Sequence, residues 1–183
     1  MQMYFDFTKD ATRSSILNQL RAKVDDTAWA VITTDVAMAG VPKGHHHGIV
    51  EVRETINSLR ISQKIKDDML AIYGILAAAE AQVHGCSVDE THFHEVGDGQ
   101  AILNTLLICC TVSYLHPDCI VATPVQTGCG QVECAHGLMD IPAPATAAIL
   151  ATGIPTADEK IEGELCTPTS AAIIKHFVQE FVQ

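Results

Sequence analysis

Residues 119 to 126, CIVATPVQ, stand between two stretches of helical character, and whether they form a strand decides the class of the fold. Ile120 and Val121 are β-branched, and Thr123 and Pro124 follow, which suits an extended segment better than another helical turn. The glycine turn TGCG (127–130) and then QVECA (131–135) come next, so the sequence predicts a β-hairpin with Pro124 at an edge or a bulge of its first arm. On the N-terminal side, AILNTLLICCTVSYL (101–115) is periodic like a helix and stops before Pro117. On the C-terminal side, IPAPAT opens a helix with Pro144 in its first turn, and Gly153 with Pro155 ends it.

The same alternation continues in both directions. Ile161 to Leu165 reads as a short strand, and TPTSAAIIKHFVQEFV (167–182) as a closing amphipathic helix opened by Thr167 or Thr169. MYFDF (3–7) alternates as a half-buried strand, and Thr12 to Lys23 places Ile16, Leu17 and Leu20 at helical spacing. Trp29 to Met38 is rich in β-branched residues and runs into Gly40 and Pro42, which predicts a second strand. After the loop VPKGHHHG (41–48), Ile49, Val52, Ile56 and Leu59 form one apolar stripe. Ser62 then caps a helix that runs to Val83 on Ile65, Met69, Ile72 and Leu76. The segment HGCSVDETHFHEVGDG (84–99) breaks that period. With no repeat or linker, residues 1–183 read as a single α/β domain, one mixed sheet flanked by helices, with α+β as the alternative class.

Composition excludes several functions. The formal charge of -11, from 22 acids against 11 bases and with no basic run, repels a nucleic-acid backbone. The start, MQMYFDFTKD, lacks the basic flank and apolar run of a secretory signal, and the longest apolar stretch falls short of the roughly 20 residues that cross a bilayer. Seven cysteines, an odd number without a C-x-x-C pair, fit reduced thiols in a cytoplasmic protein, with Cys109, Cys110 and Cys119 buried as small hydrophobes. TGCG matches no phosphate-binding glycine pattern, and no G-x-S-x-G elbow is present.

The nine histidines carry the most information, because seven of them gather in loops. His45, His46 and His47 lie between Gly44 and Gly48, where neutral imidazoles can chelate a borderline metal such as nickel or zinc; the alternative is a solvated polar loop. In an extended segment His92 and His94 project to one side while Phe93 faces the core, so both rings could meet one ion. Glu95 would point away from them. A third ligand could come from His84, with Glu80 one turn before it, or from His136, Cys134 or Glu133; otherwise the pair caps the next helix or bonds loop carbonyls. Cys134 and His136 form a second thiol and imidazole spacing, and a thiolate there favours nickel, zinc or copper over magnesium or calcium. Thr167, Thr169 and Ser170, at a helix start, could cradle an anion on backbone N–H groups or simply cap the helix.

Four blocks, HHHG before a helix, AEAQVHGCSVDETHFHEVG, CAHGLMDIPAPAT and GELCTPTSAA, together resemble the family of nickel-insertion proteins of lactate racemase maturation, specifically the N-terminal domain, across about residues 45 to 175. The resemblance implies nickel insertion into a pyridinium bisthiocarboxylate mononucleotide, making one carbon–nickel and two sulfur–nickel bonds with CTP consumed. It carries the metal candidates onto His45, His46, His47, His92, His94 and His136. Two departures stand out: Asp6 to Asp10 lack the cysteine and glycines of the family's opening motif, and Gln100 replaces an acid. The chain also lacks the C-terminal domain associated with CTP use, so the expected partners are the mononucleotide and a separate C-terminal half, with self-association open. The rival readings are a catalytically silent homologue that binds a metal or a partner, and a small metal-dependent hydrolase.

Overall fold

The computed structural model describes residues 1–44, 48–93, 99–134 and 137–182, with Cys134 described by its backbone. Strand β1 (Gln2–Phe5) leads to α1 (Arg13–Arg21), α2 (Asp26–Met38), α3 (Ile49–Ser58) and the long α4 (Gln63–His84). A single 3₁₀ turn, Val88–Glu90, precedes α5 (Gly99–Leu115) and β2 (Cys119–Ala122). The chain continues through β3 (Gly128–Cys129), β4 (Gln131–Cys134), β5 (Gly137–Asp140), α6 (Pro144–Leu150), β6 (Gly163–Glu164), α7 (Pro168–Phe177) and β7 (Glu180–Phe181). The α/β class is as the sequence predicts.

The main sheet has the order β1-β2-β7, and both of its ladders are parallel. Phe5 stands opposite Ala122, and Ala122 opposite Phe181. Antiparallel pairing is confined to two outlying pairs, β3 with β6 and β4 with β5. Helix α4 lies at the centre of the packing, against α3, α5, α6 and α7. Its Met69, Ile72, Tyr73 and Leu76 are fully buried, each burial being worth about 1.5–3 kcal/mol. Ser62 caps this helix as expected, its side chain accepting from the Ile65 amide, and Gly85 ends it in the left-handed conformation at φ 66°.

Three sequence expectations need correction. The segment Trp29 to Met38 is not a strand but most of α2. Asp25 caps that helix by accepting from the Ala28 amide at 2.8 Å, and Ala28, Ile32 and Val36 supply a buried stripe at i, i+4 and i+8. Packing of that stripe against α5 overrides the β-branched composition. The hairpin of CIVATPVQ with QVECA does not form either. Both edges of β2 are taken by β1 and β7, so β4 turns instead to β5, with Cys134 paired to Gly137. Cys129 consequently lies in β3, and Cys134 ends β4. Finally, the last helix stops at Phe177, where Val178 turns extended and VQEFV docks beside β2 through Gln179 N–H to Ile120 C=O and Val182 N–H to Ala122 C=O.

Gly128 shows how closely the outlying strands approach. Its φ is +81°, and a Cβ there would stand 1.8 Å from the Gly163 carbonyl oxygen. Replacing Gly128 with Ala is expected to cost about 3 kcal/mol or more. Gly130, at φ +99° with open space around it, should lose only about 1–2 kcal/mol on the same change. Urea unfolding of both variants checks this, and equal losses would contradict the close packing.

Burial also leaves a pH signature. Desolvation pushes the Cys110 and Cys166 thiols up to about 12, from an ordinary 9.0, and raises that of Cys109 too. The folded chain therefore holds protons that the unfolded chain gives up. Stability is fully present below pH 9.0 and is lost as pH climbs towards about 12, by at most ~1.4 kcal/mol per pH unit for each thiol. Unfolding under reducing conditions near pH 8 and pH 10 tests the sign; a flat profile would contradict it.

Candidate metal centre

Of the residues that the sequence singles out, His45, His46, His47, His94, Glu95 and His136 lie outside the described residues. What the structure gives is the anchoring of their flanks. The Gly99 amide donates to the Gly44 carbonyl at 2.9 Å. On the other side, Gly48 and His92 form an antiparallel bridge, and the Ile49 amide donates to the Thr91 carbonyl at 3.4 Å. The chain enters and leaves the histidine tract at Gly44 and Gly48, and both points are bonded to the points where it leaves and enters the H-F-H-E-V-G stretch. Two segments far apart in sequence are thus tied at both ends.

Each anchor has a local cause. Phe93 is buried and meets Tyr73 of α4 edge to face, with ring centroids 6.2 Å apart. The period of two then puts His92 on the opposite, exposed face, as the sequence predicts. Thr91 is buried, and its hydroxyl donates to the Val88 carbonyl at 2.7 Å. Arg53 of α3 holds Asp89 of the 3₁₀ turn at 2.6 Å. A Cβ on Gly99 would lie 2.7 Å from the Pro42 carbonyl oxygen, so only glycine lets the two loops come this close.

Sequence reasoning passed over Gly99, Gly44 and Gly48 as pairing positions; the glycines bordering both histidine stretches were the available signal. Helices α3 and α5 both begin at these anchors, and Gly48 gives α3 no side-chain cap. Their first-turn amides carry partial positive charge, which favours an anionic group beside the loops.

The remaining candidates sit elsewhere. His84, half-exposed at the end of α4, has its Nε2 3.5 Å from Glu80 Oε2, the pairing expected one helical turn apart. Among the described residues, no three His, Cys, Asp or Glu side chains stand close enough to hold a metal ion. Cys134 ends β4, three residues before Gly137 in sequence, and exposed Glu133 pairs with Leu138; this hairpin packs beside β6. At α7, the Thr167 hydroxyl accepts from the Ser170 amide at 3.3 Å, and Ser170 Oγ accepts from the Thr167 amide at 2.8 Å. Ser170 and Thr169 are buried, so these three positions form a helix start of the capping kind. Gln100 donates to Asn104 along α5 at 3.0 Å.

Asp6 accepts from the Thr8 hydroxyl and amide, which hold its carboxyl below the usual range. Buried Gln126 donates to the Glu159 carbonyl and accepts from the Gly128 amide. Lys9 pairs with Glu159. The opening motif is therefore occupied by internal contacts. Among the described residues no helix is long and apolar enough to cross a membrane.

The arrangement defines an α/β protein with two histidine-bearing loops tied end to end. The chain belongs to the nickel insertion protein family, whose model it matches over residues 5–183. It is 43% identical over 131 residues to the pyridinium-3,5-bisthiocarboxylic acid mononucleotide nickel insertion protein of Clostridium kluyveri, a match covering 72% of this chain and 33% of that protein. The protein of that name from Clostridium acetobutylicum is 44% identical over 133 residues, covering 73% and 31%. The one from Staphylococcus saprophyticus is 40% identical over 131 residues, covering 72% and 33%. The chain thus spans about a third of the length of these relatives. No solved structure matches it.

The capping reading of α7 has a consequence for stability. Replacing Thr167 with Ala should cost about 0.5–2 kcal/mol in urea unfolding through loss of the cap. No measurable loss would show that the hydroxyl is free for another role.

Proposed function

We propose that this chain holds a nickel ion between its two histidine loops and passes it to pyridinium-3,5-bisthiocarboxylic acid mononucleotide, the compound in its relatives' names. The observation that supports the reading is the double anchor, the Gly99 amide on the Gly44 carbonyl and the Gly48–His92 bridge with the Ile49 amide on the Thr91 carbonyl, which ties the flanks of the two histidine-bearing stretches together. Neutral imidazoles suit a carrier, because they bind nickel yet yield it to softer sulfur donors. Nickel is cargo here.

The start of α3, which has no side-chain cap, together with the start of α5, would favour the anionic thiocarboxylates or phosphate of the acceptor beside the ion. Forming a carbon–nickel bond replaces a C–H bond and sets one proton free, which an imidazole that has released the ion can accept. His136 is the further donor, with His84, Glu95 and Cys134 secondary, and Thr167, Thr169 and Ser170 are candidates for binding the acceptor. The CTP-dependent part of the reaction falls to a separate C-terminal half, in a cytoplasmic setting.

A catalytically silent binding homologue is the second reading. One observation favours it: within the opening Asp6 to Asp10, Asp6 is held by Thr8, Lys9 pairs with Glu159, and Gln126 donates to the Thr8 carbonyl.

Titration calorimetry with nickel separates loading from its absence. Changing His92 and His94 together to Ala, or His45, His46 and His47 together, is expected to weaken binding at least ~10-fold, or about 1.4 kcal/mol. Unchanged affinity and stoichiometry in both variants would reject the loops as the site. If nickel binds but mass spectrometry finds no nickel product after mixing with mononucleotide, CTP and a relative's remaining two-thirds, the silent reading stands.

A further inference from the structure

Arg13 has no counter-charge, although the chain holds 22 acids against 11 bases. It joins no ion pair among the described residues, and its Nη1 is buried without a hydrogen-bond partner. A buried donor left unpaired is costly, and more so on a charged group. Its position adds to that cost. Thr12 is the N-cap of α1, so Arg13 stands at the first helical position, where the amides of the first turn already carry partial positive charge. Asp10, three residues before it, accepts from the Thr12 amide instead. With one corner of the guanidinium dry, an oxyanion on its remaining edge, Nη2 with Nε, supplies the counter-charge that the fold omits.

The fold places Arg13 among other groups that favour an anion. Strands β1, β2 and β7 are parallel; β1 leads into α1, while α5 leads into β2 and α7 into β7. The starts of all three helices therefore gather at the carboxyl edge of the sheet, the edge at which open parallel sheets bind ligands. Backbone bonds join the segments there. The Gln126 amide donates to the Phe7 carbonyl at 2.9 Å, the Ala11 amide to the Leu165 carbonyl at 2.9 Å, and the Leu165 amide to the Thr127 carbonyl at 3.1 Å. None of the three helices carries an acid in its first turn, so their positive ends are left for a ligand to balance. Helix α5 begins at Gly99, beside the anchored loops, and packs against α1, which sets the two axes about 8–10 Å apart. A mononucleotide spans such a gap from its base to its phosphate.

We infer that Arg13 seats the phosphate monoester of a small molecule at this edge. On the reading proposed above, which this inference deepens and on which the ligand's identity rests, it is the phosphate of the acceptor mononucleotide. The probes are ribose 5-phosphate, inorganic phosphate, ribose, and benzoate as a ring carboxylate without phosphate. Each is titrated in the absence of nickel while NMR follows the Arg13 Nε–H resonance. Both phosphates should shift it and saturate below about 10 mM, as a single ionic fork requires, whereas ribose and benzoate should leave it in place. Arg13→Gln should weaken ribose 5-phosphate binding at least ~10-fold in calorimetry. Arg13→Lys keeps the charge but loses the fork, so its affinity should fall between the two; it decides alone should the Gln variant fail to fold. Equal binding by the wild type and the variants overturns the inference, as does a wild-type chain that binds neither phosphate, or one that binds benzoate equally well. Nickel calorimetry reads the delivery proposal separately: no nickel binding with the phosphate site intact removes that proposal alone.

Discussion

Phe93 packed against Tyr73 is the contact on which the rest of the site depends. A buried aromatic pair contributes about 0.5–1.5 kcal/mol beyond its area. Its larger effect is directional, because once Phe93 points into the core, the residue before it must point out. Thr91 is held by the same stretch, and its carbonyl becomes the acceptor for the first amide of α3. From that point the flanks of the two histidine-bearing stretches are tied at Gly48 and His92, and Gly99 lets the second tie, to Gly44, form where any Cβ would strike Pro42.

The wider fold explains why such loops sit there. Helix α4 is the buried axis, and its C-terminal end, the start of α3 and the start of α5 gather near one edge. Helix α5 packs on α1, α2 and α4 and leads into β2, the central strand of the main sheet, which is bordered on both edges. Loops tied to rigid helices can present donors in a fixed arrangement, whereas donors on a free loop lose that ordering on release of a ligand. An acidic chain also raises the local concentration of cations.

Much of this was legible in the residues. The caps at Ser62 and Thr167, the strand at MYFDF and the outward His92 with inward Phe93 all follow from short-range rules, because their causes lie within a few residues. The misread segments have their causes elsewhere in the chain. AVITTDVAM became a helix because α5 offers a surface for Ala28, Ile32 and Val36, and no local pattern contains that surface. QVECA could not join CIVA because β1 and β7 had filled both edges, one from each end of the sequence. VQEFV left the helical pattern for the same reason, drawn to the free edge of β2. For the site, the sequence offered histidine spacing but not the glycine ties that bring the two loops together.

The central claim is that both loops share one ion. Crystals soaked in nickel and measured at the nickel absorption edge test it most directly. The account predicts a single anomalous peak between the Gly44–Gly48 loop and the His92–Gly99 loop, with imidazole nitrogens from both in contact with it. A peak held by one loop alone, or one at the β4–β5 hairpin with the loops empty, would contradict it.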